Sequence, residues 1–300
     1  SLADYASAHI FSGHFFTVAR LVMALSIMLT LTISAAILRR ASVDCWLAIL
    51  LIVLGGISPV AIKYANYVRT DTLVAFFTLA TLYSAVQAKD YKGIFLTALA
   101  AAGAIACKIS AVTILGAVVV TALSLAATKR ISWLQFLSFS PYMDYIGLFK
   151  LIFLAEHGGD SQNFVRIGYT GLDSKISKIA EFHLNALGPW ICSLFLLSLV
   201  GLRSAVWKVF AYSWLMLLLV LLPYLFGTTL REYWFIPSYF LVALMAFLTL
   251  GLFFNKLKAH LSKARYGALV VISIFFAGMV PLSGSLSAYK NGIQYQSKNH

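Results

Sequence analysis

In the stretch ANYVRTDTLVAFF, Ala65 to Phe77, Arg69 and Asp71 stand two residues apart between two long apolar runs. Charged side chains are costly near lipid, so those that occur there need partners or work to do. On one helix Lys63 and Tyr67 would share a face at i, i+4, and Asp71 would continue it, so that an ammonium, a phenol and a carboxylate line a single stripe. Arg69 points about 200° away from Asp71 at 100° per residue, so the two form no simple intrahelical pair. Each then looks to the rest of the molecule, or to a ligand, for a partner. Lys108, in IACKISA, repeats the problem, because a buried ammonium keeps its charge only beside an anion. Asp71 could be that anion, and so could a phosphate on a lipid-linked ligand. GTTLREYWFIPSY, Gly227 to Tyr239, adds Arg231 and Glu232 followed by Tyr233 and Trp234. Aromatics at that level are ordinary interfacial residues. A guanidinium facing a cleft, however, is a natural bidentate clamp for phosphate. Gathered on one face, these groups offer cations for a phosphate, carboxylates to orient a substrate or take a proton, and aromatics suited to a sugar ring. Such a set fits group transfer from a lipid-phosphate donor, where fixed cations stabilise the departing phosphate.

Other chemistries find less support. His157 and His183 could each join a carboxylate on a divalent metal, but there is no HExxH or similar spacing, and no cofactor is indicated. Cys45, Cys107 and Cys192 are widely spaced and set in apolar surroundings, which reads as packing rather than metal binding. No Walker loop, GxSxG elbow or heptad repeat is present.

These groups must be positioned by helices in a bilayer. Of the 300 residues 61% are hydrophobic and only 11% charged, which excludes a soluble domain. Long apolar runs recur throughout, and a run of about 18 or more residues can cross a roughly 30 Å hydrocarbon core. About ten spans are expected, at 15–38, 44–66, 72–88, 93–107, 109–127, 131–153, 184–203, 209–227, 234–254 and 266–284. The fold class is thus all-α, a polytopic transmembrane bundle forming one domain over 1–300. The net charge of +13 sits in short clusters between spans, the pattern of cytoplasmic loops and not of a nucleic-acid groove. With Arg39/Arg40, Lys89/Lys92, Lys129/Arg130, Arg203/Lys208 and Lys256 to Arg265 all cytoplasmic, the spans alternate without conflict. Arg69 with Asp71, Lys108, the segment 155–183 and Arg231 with Glu232 then share the opposite face. The stretch 93–127 reads as two short helices meeting at Lys108, and ALAAAGAIA suits close helix packing. Within 155–183, SKISKIAEF spaces Ile176, Ile179 and Phe182 as in a short amphipathic helix on the membrane surface.

The order of ARLVMALSIMLTLTISAAILRR, SPVAIKYANYVRTDTLVAFFTLATLY, CKISAVTILGAVVV, LGPWICSLFLLSLVGL and REYWFIPSYFLVAL resembles the GT-C membrane glycosyltransferases, in particular the protein O-mannosyltransferase and aminoarabinose transferase branch. The likeness runs over roughly 15–255, and it implies a bundle of that type. It also implies inverting transfer of a sugar from a polyprenyl phosphate to an acceptor lipid, glycan or protein, at the outward face of a bacterial inner membrane. Arg69 and Asp71 look like the family's Arg-x-Asp, Lys108 like its lysine between short helices, and Arg231 like its late basic residue. Arg231 and Lys108 are then expected on phosphate, Asp71 in support, Arg69 on phosphate or loops, and Lys63, Tyr67, Tyr233 and Glu232 around the pocket. The main catalytic carboxylate belongs to a first span and outer loop expected upstream of residues 1–14, and Asp4 is no replacement for it. A transporter or lipid flippase could use the same buried charges without bond chemistry. The absence of matched, inverted halves argues against it.

Overall fold

The computed structural model describes residues 2–56, 58–66, 70–133, 172–226, 235–258, 260–273 and 275, with side chains from 17 onward except at 65, 66, 109 and 226. Every regular element among them is helical. In order these are α1 (Leu2–Arg40), α2 (Cys45–Gly56), α3 (Pro59–Asn66), α4 (Asp71–Gln87), α5 (Tyr91–Cys107), a 3-10 turn (Ile109–Ile114), α6 (Leu115–Ala127), α7 (Leu172–Leu197), a second 3-10 turn (Ser198–Arg203), α8 (Trp207–Phe226) and α9 (Ile236–Lys258). A further helix, α10, covers 263–273.

Helix α9 is the axis of the bundle. It packs against α1, α2, α4, α7 and α8, and 83% of its most apolar window is buried. A helix that is apolar all round is best covered all round, and α9 is so from Ile236 to Leu248. Helices α4 and α5 form an antiparallel hairpin whose contact face carries the fully buried Ala101 and Ala104. The run of small residues therefore does what its composition suggests.

Among the described residues, five helical segments are long and apolar enough to cross a membrane: Thr17–Arg40, Ser110–Ala127, Leu172–Arg203, Trp207–Leu225 and Ile236–Lys258. The expected spans 72–88 and 93–107 are the helices α4 and α5, and the expected span 44–66 is broken for a local reason. Ser58 ends the expected 44–66 span early, its hydroxyl donating to Gly55 O at 2.9 Å and accepting from Ala61 N at 3.1 Å. Pro59 follows at the first position of α3, where a missing N–H costs nothing. The 12 residues of α2 reach only about 18 Å. With 17 residues each, α4 and α5 reach about 25 Å. Lys108, with extended backbone at φ −160° and ψ 122°, separates α5 from the 3-10 turn, so 93–127 is indeed two helices. The expected span 131–153 lies outside the described residues after 133, as does 266–284 after 275.

Residues 172–183 of the expected outer loop are helical and belong to α7, and 155–171 lie outside the described residues. Gly188, at φ 80° and ψ 163°, breaks α7 ahead of Pro189, leaving an arm of residues 172–187 and a second limb that runs on to Arg203.

One end of the bundle is stapled. Gly251 of α9 lies against Val43 in the α1–α2 turn, and Asn255 Nδ2 donates to Ser42 O at 3.0 Å. Lys258 pairs with Asp44 at 3.4 Å, and the Tyr266 hydroxyl donates to the same carboxylate at 3.0 Å. Following the helices from this end puts Arg39/Arg40, Lys89/Lys92, Lys129/Arg130, Arg203/Lys208 and Lys256/Lys258 together, as the loop charges require.

Candidate functional site at the end opposite the basic loops

At the other end the α4–α5 hairpin brings two of the expected residues together. Asp71 opens α4 and Lys108 closes α5, and Lys108 Nζ lies 2.8 Å from Asp71 Oδ1. Both ends favour these charges, since a carboxylate suits the positive pole of a helix N-terminus and an ammonium the negative pole of a C-terminus. The Asp71 side chain is 7% exposed and that of Lys108 21%. Lys108 thus resolves the choice of anion in favour of Asp71. An ammonium has three donors, so this contact does not exhaust it.

From the pair, a chain of aromatics leads across the bundle. Lys108 Nζ stands 6.0 Å from the centre of the Tyr224 ring, whose edge meets Phe235 at 5.9 Å. Phe235 packs, tilted by 54°, at 5.4 Å from Phe182 of the α7 arm. Phe182 and Phe235 then wall a cavity of about 210 Å³, joined there by Lys63, Tyr64, Glu181 and Asn185. Lys63 Nζ lies 5.3 Å from the Tyr64 ring, and Lys178 pairs with Glu181 at 2.9 Å. Charge and aromatic faces therefore line one cleft, open on one side, as recognition of a polar ring needs.

On the other side of the same arm lies a second space of about 400 Å³ between α7, α8 and α9. Ile176, Ile179, Leu184, Phe195, Leu221 and Leu225 line it, and it is almost wholly apolar. His183 sits between the two spaces. Its Nδ1 donates to Ile179 O at 2.7 Å, and its Nε2 lies 3.1 Å from Ser238 Oγ. The single Ser238 proton serves either that nitrogen or Phe235 O, 2.8 Å away.

Lys63 does not share a helix with Asp71, because α3 ends at Asn66 and α4 begins at Asp71. The single stripe read from the spacing is therefore replaced by two helix ends. Tyr67, Arg69, Arg231, Glu232 and Tyr233 lie outside the described residues, and so does His157. The described residues flanking them, Tyr64 and Thr70 on one side and Leu225 and Phe235 on the other, sit at this end of the bundle. The sequence reading passed over Lys178, Glu181, Tyr224 and Ser238. Only the amphipathic spacing of SKISKIAEF pointed toward the first two. Among the described residues no three His, Cys, Asp or Glu side chains cluster as metal ligands. The three cysteines are free thiols, with Cys45 exposed and Cys107 and Cys192 half-buried. Comparison with protein-family models, curated proteins and solved structures gives no match.

Proposed function

We propose that this chain is the membrane part of a glycosyltransferase that moves a sugar from a polyprenyl-phosphate donor to an acceptor at the non-cytoplasmic face. The observation that supports it best is the company of the buried Asp71–Lys108 pair. Fixed charge, phenols and an open polar cleft meet at the end away from the basic loops. In this reading an acceptor hydroxyl loses its proton to a carboxylate and attacks the anomeric carbon. The bond from that carbon to the phosphate oxygen breaks with its electron pair on the phosphate. Lys108 and Arg231 take up the charge on the leaving phosphate, and Asp71 holds Lys108 in place for it. Lys63, Tyr67 and Tyr233 line the pocket, Arg69 braces the phosphate or the adjoining chain, and Glu232 orients Arg231. A divalent metal is not required by this scheme, and the sugar is left open by it.

The test uses full-length protein in nanodiscs with a polyprenyl-phosphate sugar labelled in the sugar. Transfer or release of label is expected, with Arg231→Ala slowing it about a hundredfold and Asp71→Asn about tenfold through misplacement of Lys108. Label that crosses the bilayer still attached to its lipid, at a rate both variants leave intact, would instead identify a carrier.

A further inference from the structure

We propose that the α7 arm, residues 172–187, is a gate that pivots at Gly188 and, by swinging, joins the polar cleft to the apolar space behind it. The arm lines both spaces. One side of it presents Lys178, Glu181, Phe182 and Asn185 to the cleft, and the other presents Ile176, Ile179 and Leu184 to the apolar space. A molecule with a polar head and a hydrocarbon chain needs both at once, and with the arm in place neither is continuous with the other.

The pivot is written into the backbone. At φ 80° and ψ 163°, Gly188 occupies a region essentially closed to residues with a side chain. Pro189 disfavours the helical conformation for the residue before it, so the break does not heal into a straight helix. Glycine alone can reflect its φ to about −80° at a similar ψ, which keeps the extended geometry that the proline demands. Two arm directions therefore share one pivot.

The hold on the arm is light. Of the sixteen residues of the arm only Lys175, His183, Ala186 and Leu187 are buried. Ile176, Leu184 and Leu172 are exposed. Among the contacts that tie the arm down, Lys175 Nζ donates to Leu225 O of α8 at 3.0 Å, and His183 meets Ser238 of α9 at 3.1 Å. Contacts of this size shift an opening equilibrium by factors of a few to about tenfold each, a range suited to a gate.

The test needs no donor or acceptor, so its outcome is independent of the glycosyl-transfer reading. In full-length protein lacking its native cysteines, spin labels at Ile176→Cys and Leu218→Cys, both exposed positions, report the arm's distance from α8. Double electron–electron resonance in nanodiscs should give two distances, with the longer gaining population in Ser238→Ala and in Lys175→Met. Gly188→Ala, denied the positive φ, should populate the alternative distance alone. A second readout keeps Cys192, which lines the apolar space beside the pivot. With Cys45→Ser and Cys107→Ala in the background, maleimide should label Cys192 about tenfold faster once both contacts are cut. Helical content and monodisperse elution qualify each variant as folded. A single distance that folded Ser238→Ala and Lys175→Met leave unchanged, with Cys192 labelled at the parent rate, overturns the proposal.

Discussion

Asp71 and Lys108 illustrate how a buried charge pair weighs on stability. The two are ion-paired at 2.8 Å with the carboxylate nearly out of solvent. Removing one partner leaves the other charge uncompensated, a cost of about 3 kcal/mol or more. Lys108→Met should therefore lower the unfolding midpoint of the detergent-solubilised protein substantially. Asp71→Asn/Lys108→Met should recover most of the loss, because neither charge then remains. Additive losses in a double-mutant cycle would show that the two residues do not depend on each other. The sequence raised this pairing as one of two choices for Lys108. It could not decide between them, because residues 37 positions apart meet only through the α4–α5 hairpin. Ser238 and Tyr224 escaped notice for a related reason. Isolated polar residues in apolar runs carry no spacing signal, and their partners come from other helices.

For the helices themselves, what could be read depended on where the punctuation sat. The division of 93–127 at Lys108 was legible because a single helix would put the Lys89/Lys92 and Lys129/Arg130 clusters on opposite faces. Pro59 was passed over although Ser-Pro is a helix-start signal, because the hydropathy on both sides is continuous. Gly188–Pro189 lies inside the LGPW stretch that read simply as the start of a span. Hydropathy averages over such breaks, while backbone geometry does not. Where helices touch, the tightest approach is open to a direct check. A Cβ on Gly251 would lie 2.5 and 2.7 Å from the Val43 γ carbons and 3.1 Å from its Cβ. Val43 is 1% exposed and β-branched, so it has little freedom to yield. Gly251→Ala should cost about 1–3 kcal/mol through overpacking, and Gly251→Ala/Val43→Ala should restore part of it. Thermal unfolding followed by circular dichroism separates the two outcomes.

At the scale of the whole molecule, charge asymmetry was the most legible property. Loop lysines and arginines forecast which helix ends lie together, and the bundle groups them so. They could not reveal how many helices are long enough to cross, which depends on breaks and not on charge. The asymmetry yields a topology test. In a cysteine-free background, a membrane-impermeant maleimide applied to intact cells should label Lys63→Cys and Asp173→Cys. Ser42→Cys and Arg130→Cys should be labelled only after the cells are opened. Labelling of Ser42→Cys and Arg130→Cys from outside, with Lys63→Cys and Asp173→Cys reached only after opening, would reverse the assigned orientation.

The staple of Asp44 with Lys258 and Tyr266, and of Ser42 with Asn255, ties the first turn of the chain to the far end of its central helix. A carrier that opened each end in turn would have to break these ties in one of its two states, so Lys258→Ala and Asn255→Ala bear directly on how easily the basic end parts.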